Sequence, residues 1–179
     1  STWFVIVDVD GRIIALFAGQ PDDTDNWEEV AQRASSVLTE ARNKCTFTQA
    51  HLKHSRGNYP TQGVGTSFGG GSLGSTVGAE LSPATWANQE SLAHLCNHPA
   101  ICCIAGFGSV MLATYAPRVH LKMRRRLHLL YMCHSSLQLN FTNSIYPAAH
   151  FNSRLNSVCF EHTDYANDPV NWCHITALG

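Results

Sequence analysis

His162-Thr163-Asp164 is the point in this chain where chemistry is most concentrated. It follows the apolar run Val158-Cys159-Phe160, which reads as a strand. Residues two apart on a strand point to the same face, so an imidazole and a carboxylate leave it side by side. That pair can hold two positions around one metal ion. A second imidazole would complete a two-His, one-carboxylate face and leave three positions for reactants, the arrangement of non-haem iron oxygenases. Taken alone, His-x-Asp is common, and this chain has ten His in 179 residues.

Other residues compete for a chemical role. His94 and His98 are spaced to share a helix face, and Cys102-Cys103 follows closely. Together they could form a zinc-binding module, although the Glu that zinc proteases place after the first His is replaced by Leu95. Buried thiols and ordinary imidazoles are the plainer alternative. Gly69-x-Gly71-x-x-Gly74 matches the dinucleotide fingerprint, but Ser75-Thr76-Val77-Gly78 is a poor helix start, and a flexible loop fits better. If that loop has a function, Phe68, Gly69, Gly70 and Gly71 are its candidates, lying over an active site. Lys122, Arg124, Arg125 and Arg126 could grip nucleic-acid phosphates; a solvated helix face is the simpler reading.

The elements needed to position these groups are legible in outline. Trp3–Val7 and Arg12–Phe17 flank Asp10-Gly11, a strong hairpin signal. Asp25, with Glu28 three residues on, can cap a helix from about Asn26 to Lys44, with Trp27, Val30, Ala31, Ala34, Val37, Leu38 and Ala41 at helical spacing. From Cys45 to about Pro83 periodicity vanishes, and His51, Lys53, His54 and Arg56 make a small basic cluster. Ser82-Pro83 is a plausible helix start, Leu92, Ala93, Leu95 and Cys96 a buried stripe, and His98-Pro99 a stop. The apolar stretch Ala100–Ala116 is expected to break early at Gly106 and Gly108. Pro117 opens a helix to about Ser135, in which Leu121, Leu127, Leu130, Tyr131 and His134 alternate with the basic residues. Asn140–Asn152 is turn-rich, and Val158–His162 and Trp172–Leu178 read as strands.

Composition bounds the rest. Charged residues are 14%, against about 25% in an ordinary soluble domain, so the surface is charge-poor or normally covered. The net charge of −1 gives no global sign of nucleic-acid binding. Seven Cys without regular spacing favour free thiols in a reducing compartment. Asn140-Phe141-Thr142 matches a glycosylation sequon of a kind common by chance. No apolar run reaches the roughly 18–20 residues of a membrane helix, and no signal peptide is evident, so an intracellular protein without a membrane partner is expected.

The block Ser157–Asn167 with Trp172-Cys173-His174-Ile175-Thr176-Ala177-Leu178-Gly179 resembles a group of fungal iron(II)/2-oxoglutarate-dependent dioxygenase-like proteins, similar to the TET/JBP nucleic-acid-base oxygenases. Gly11–Ala15, Ala18–Pro21, Ser67–Gly71, Ile104–Gly108 and Ala113–Pro117 resemble that group too. The resemblance implies an α+β fold in which a hairpin and helices pack on a double-stranded β-helix (jelly-roll). It implies Fe(II) and 2-oxoglutarate as cofactors, His162 and Asp164 as iron ligands, and Tyr165 and Asn167 in the turn or around the metal. A nucleic-acid substrate and a nuclear location come only from it. In the family a further His and a basic residue that holds 2-oxoglutarate lie well downstream. Neither has a counterpart here, His174 being a poor substitute, and Asp168–Asn171 departs from the apolar turn of the group. The expectation is therefore a single, truncated domain, the N-terminal part of a dioxygenase and inactive alone: hairpin plus helix over 1–44, Gly-rich loop over 45–82, helices over 83–139, and the first jelly-roll strands over 140–179. A non-catalytic relic or accessory binding protein is the alternative, and the zinc module a second.

Overall fold

Asp8 shapes the first turn. In the computed structural model, which describes residues 3–22, 26–54, 56–66, 87–137, 139–153, 157–162 and 170–178, its carboxylate accepts the backbone N–H groups of Asp10 and Arg12, each at 2.9 Å, and the Arg12 guanidinium at 2.7 Å. Arg12 holds that carboxyl below its usual range, through its backbone N–H first and its side chain second. Gly11 takes φ +76°, a left-handed conformation that costs glycine nothing. The expected hairpin follows as β1 (Phe4–Val7) and β2 (Ile13–Phe17), antiparallel with Phe4 opposite Phe17 and their rings stacked at 4.5 Å.

Helix α1 (Trp27–Lys44) also forms as expected, with Ala34, Val37 and Ala41 buried. Asp25, its expected cap, lies outside the described residues, and Asn26 at the cap position makes no side-chain cap. Acids in the first turn, Glu28 and Glu29, and bases in the last, Arg42 and Lys44, complement the helix dipole.

The region 45–82 is not all loop. Residues Gln49–Leu52 form a single helical turn, α2, and Thr61–Gly65 form β3. Its partner is β4 (Ala148–Asn152), inside the stretch expected to be turns, and the two run antiparallel with Thr61 opposite Asn152. The expected helix start at Ser82-Pro83 lies outside the described residues; α3 runs Gln89–Asn97 and buries Leu92, Leu95 and Cys96, while Ala93 is exposed.

His98 both ends α3 and caps α4 (Pro99–Tyr115), its Nδ1 accepting the Ala100 N–H at 3.3 Å. Contrary to expectation, α4 passes unbroken through Gly106 and Gly108. Both glycines admit a close neighbour. A Cβ on Gly106 would meet Asn143 Nδ2 at 2.6 Å, and one on Gly108 would overlap the His174 ring. Helix interiors tolerate glycine at a cost near 1 kcal/mol when packing demands it. Helix α5 (Pro117–Cys133) packs on α4 and buries Met123, while Leu121 is exposed.

Among the described residues the core joins Ala34, Val37 and Ala41 of α1, Leu95 and Cys96 of α3, Ala100, Ile101 and Ile104 of α4, and Phe141. Val64, Ala149 and Phe151 of the β3–β4 sheet close it, together with Leu178. The fold is thus α+β, and among the described residues it has a hairpin, four helices longer than a turn and a second small sheet. The two expected late strands do not form: described residues 157–162 and 170–178 are irregular. Their β-branched, aromatic composition favours a pleated surface, but a strand needs a neighbour to bond with, and none is present among the described residues. No single described helix is long and apolar enough to cross a membrane; α3 and α4 together pass on length and composition but are bent by 64°.

Candidate metal centre

The segment that carries His162 is fastened by the loop expected to be a bare basic cluster. His54 and Gly57 exchange two backbone hydrogen bonds of 3.1 Å and close a tight turn. Beyond it, Tyr59 is buried, with the His54 ring edge-on at 4.8 Å and His54 Nε2 3.1 Å from the Tyr59 carbonyl. The Tyr59 hydroxyl lies 2.8 Å from Cys159 Sγ, and the Phe160 N–H donates to the Arg56 carbonyl at 2.8 Å. Burial, then the Cys159 thiol, pushes the Tyr59 phenol up to about 12, so it stays protonated at neutral pH. Two anchors thus precede His162 by two and three residues, and both come from 56–59.

His162 itself is exposed, and its Nδ1 lies 2.7 Å from the Phe160 carbonyl oxygen. A carbonyl only accepts, so Nδ1 carries a hydrogen in this contact. Metal-binding imidazoles are commonly fixed by this kind of backbone bond. Asp164, Tyr165, Asn167 and the loop Phe68-Gly69-Gly70-Gly71 lie outside the described residues, as does the Gly69–Gly74 fingerprint. Among the described residues no three His, Cys, Asp or Glu side chains converge to hold an ion. Of the two expected iron ligands, only His162 is among the described residues.

His174 does not supply a third ligand. Its ring packs against Gly108 of α4, 6.0 Å from the Tyr146 ring, with Nε2 3.0 Å from the Thr176 hydroxyl. Burial lowers its pKa from 6.5. The neighbouring Tyr146 phenol is pushed up to about 12, by burial first and by Cys173 second, and stays neutral beside it. A histidine whose folded pKa is depressed favours the folded state while neutral, so its contribution is present above about pH 6.5 and is lost as pH falls through the folded pKa. Urea midpoints measured from pH 8 to pH 5 are expected to fall more steeply for the native chain than for His174→Gln. Equal slopes would mean that the imidazole is not buried neutral.

The zinc arrangement fails on geometry. The His94 and His98 rings stand 6.3 Å apart between centroids, the His98 Nδ1 is used as a helix cap, and the Cys102 thiol turns back to donate to the Cys96 carbonyl at 3.1 Å. The Cys96 thiol is buried and pushed up to about 11, mainly by desolvation, which keeps it protonated and inert. The imidazoles instead line a shallow groove along α1 with Glu29, Arg33 and Glu40. None of the seven cysteines is in a disulfide. The sequon residue Asn140 donates its amide to the Pro147 carbonyl at 3.3 Å. Of the basic candidates, Arg124, Arg125 and Arg126 are exposed and Lys122 is half-buried.

Residues with structural roles that spacing did not reveal are Tyr59, Asn88 and Gln62. Asn88 clamps both backbone groups of Thr46 at 2.7 Å. Gln62 on β3 is buried, and among the described residues neither of its amide atoms has a partner, a costly arrangement. No protein-family model, no curated protein and no solved structure matches the chain.

Proposed function

We propose that the chain is the N-terminal portion of an iron(II)/2-oxoglutarate-dependent dioxygenase domain, with His162 and Asp164 as two of its iron ligands and no turnover by this portion alone. In this reading, 157–162 and 170–178 supply the first strands of a jelly-roll core whose other strands come from further chain or from a partner. The observation that carries the reading is the His162 imidazole: exposed, at the end of a fastened segment, with its ring orientation set by the Nδ1–H that donates to the Phe160 carbonyl. The apolar side chains on both segments support it, with Val158 71% and Ile175 89% exposed, as expected of surfaces that a further sheet would cover.

When bound, iron with 2-oxoglutarate supplies the oxidising power to hydroxylate a carbon–hydrogen bond. The chain's own part is to aim and hold ligands. Tyr59 and Arg56 pin 159–160, and the Phe160 carbonyl fixes the His162 ring. The substrate in this reading is a nucleic-acid base, an assignment carried by the resemblance alone.

Titration of the full chain with Co(II) or Mn(II) under anaerobic conditions, followed calorimetrically, tests the ligand assignment. Weak binding is expected, weakened about tenfold or more by either His162→Ala or Asp164→Ala, with circular dichroism unchanged. Ion binding that neither variant alters, or no binding at all, would reject the pair as iron ligands and leave the accessory or relic reading.

A further inference from the structure

The distribution of charge along the chain is lopsided. Between Glu90 and Glu161 there is no Asp or Glu, and that stretch holds six of the twelve Lys and Arg residues. Five of the six lie on α5, Arg118, Lys122, Arg124, Arg125 and Arg126, which therefore carries positive charge with no internal neutralisation.

Helix α5 buries Met123 against the rest of the fold. Stepping by three and four residues along its opposite side gives Arg118, Leu121, Arg125, His128, Leu129 and Met132, all exposed. Leu121 is 46% exposed, Leu129 62% and Met132 70%. A helix face that merely meets water has no reason to set three large apolar side chains opposite its buried Met. Cations flank them, and among the described residues neither Arg118 nor Arg125 forms an ion pair. Near the start of the helix, Tyr115 ends α4 two residues before Pro117, and the half-exposed Trp3 of the hairpin lies 5.4 Å from its ring. Trp and Tyr, with apolar bodies and polar tips, suit the boundary between water and hydrocarbon.

We infer that the outer face of α5 lies on an anionic lipid surface, with Leu121, Leu129 and Met132 entering the acyl boundary and Arg118 and Arg125 bonding to headgroup phosphates. Phosphate recognition by nucleic acid would use the cations and leave the three apolar side chains in water. A bilayer engages both sets, because an interfacial helix draws its affinity from buried apolar area plus attraction to anionic lipid. This inference is independent of iron binding by His162 and stands or falls separately.

Vesicle co-sedimentation of the full chain tests it, with vesicles of phosphatidylcholine alone and of phosphatidylcholine with about 30% phosphatidylserine. Binding is expected only to the anionic vesicles. Each cation near such a surface contributes roughly a fivefold factor, so Arg118→Gln with Arg125→Gln lowers affinity about 25-fold. The triple variant Leu121→Ser, Leu129→Ser, Met132→Ser, all at exposed positions and so folded by circular dichroism, loses binding while keeping every charge. Binding retained by that triple variant would overturn the inference, as would failure to bind anionic vesicles. So would tighter binding to duplex oligonucleotide that the Ser variant leaves intact, which marks the face as a nucleic-acid contact.

Discussion

Leu95→Ala is expected to destabilise the fold by about 3–5 kcal/mol, a sizeable fraction of the roughly 5–15 kcal/mol that holds a domain folded. Leu95 is 1% exposed and sits where three helices meet, in one cluster with Ala34, Val37 and Ala41 of α1, Ala100, Ile101 and Ile104 of α4, and Phe141. What surrounds it decides the magnitude. Several of these neighbours are alanines, and a methyl fixed to a helix backbone cannot swing into the space that a removed isobutyl group leaves. The cavity therefore persists, and its cost adds to the lost transfer energy. Urea denaturation with an unchanged slope and a lower midpoint checks it. A loss under about 1.5 kcal/mol would mean that the site collapses, or that α1, α3 and α4 do not share this core. By comparison, Leu121→Ala on the solvent side of α5 should stay within about 0.5 kcal/mol.

Elements with local causes were legible in the residues. Asp10-Gly11 supplies the φ > 0 position a tight hairpin needs, and α1 repeats its small apolar residues every three or four positions, so the hairpin and α1 emerged near their expected limits. The β3–β4 sheet had no such signature. Thr61-Gln62-Gly63-Val64-Gly65 contains two glycines and little strand propensity, and its Thr61–Asn152 contact spans 91 residues. Gly63 is there because the His150 ring lies across it, within 2.9 Å of where a Cβ would stand, and that requirement belongs to the partner strand. Gly106 and Gly108 misled for the same reason: in isolation they look like helix breakers, whereas in the fold they are seats for Asn143 and His174. The opposite error came at 157–162 and 172–178, where β-branched and aromatic residues promised strands and the backbone is irregular. Composition reports the surface a segment suits, and pairing depends on what lies beside it. His162 stood out by type and spacing; Tyr59, which fastens its segment from a hundred residues away, is an ordinary tyrosine until the chain is folded.

Asn88→Ala is expected to cost about 2–4 kcal/mol, a large effect for so small a side chain. The Thr46 N–H donates to Asn88 Oδ1 and the Asn88 amide donates to the Thr46 carbonyl, both at 2.7 Å, so one side chain does for Thr46 what a β-strand neighbour would. Asn88 is fully buried at the start of α3, and Thr46 follows the end of α1, so the clamp ties the two helices together at their ends. Alanine leaves a donor and an acceptor stranded, at about 1–3 kcal/mol each, reduced where water can enter. Asn88→Asp separates hydrogen bonding from packing. Its carboxylate keeps the acceptor for the Thr46 N–H but turns a second oxygen toward the Thr46 carbonyl, where lone pairs repel. Burial and that repulsion both raise the pKa of the new carboxyl in the folded state. A raised folded pKa makes its contribution favourable below the unfolded value, about 3.9, and lost as pH climbs through the folded value. The aspartate variant should therefore be at least as unstable as the alanine variant at pH 7 and should gain on it at pH 5, where a protonated carboxyl can donate to the carbonyl. If the two variants keep the same difference in urea midpoint at both pH values, the Thr46 carbonyl does not depend on Asn88, and the α1–α3 junction is held by apolar contact alone.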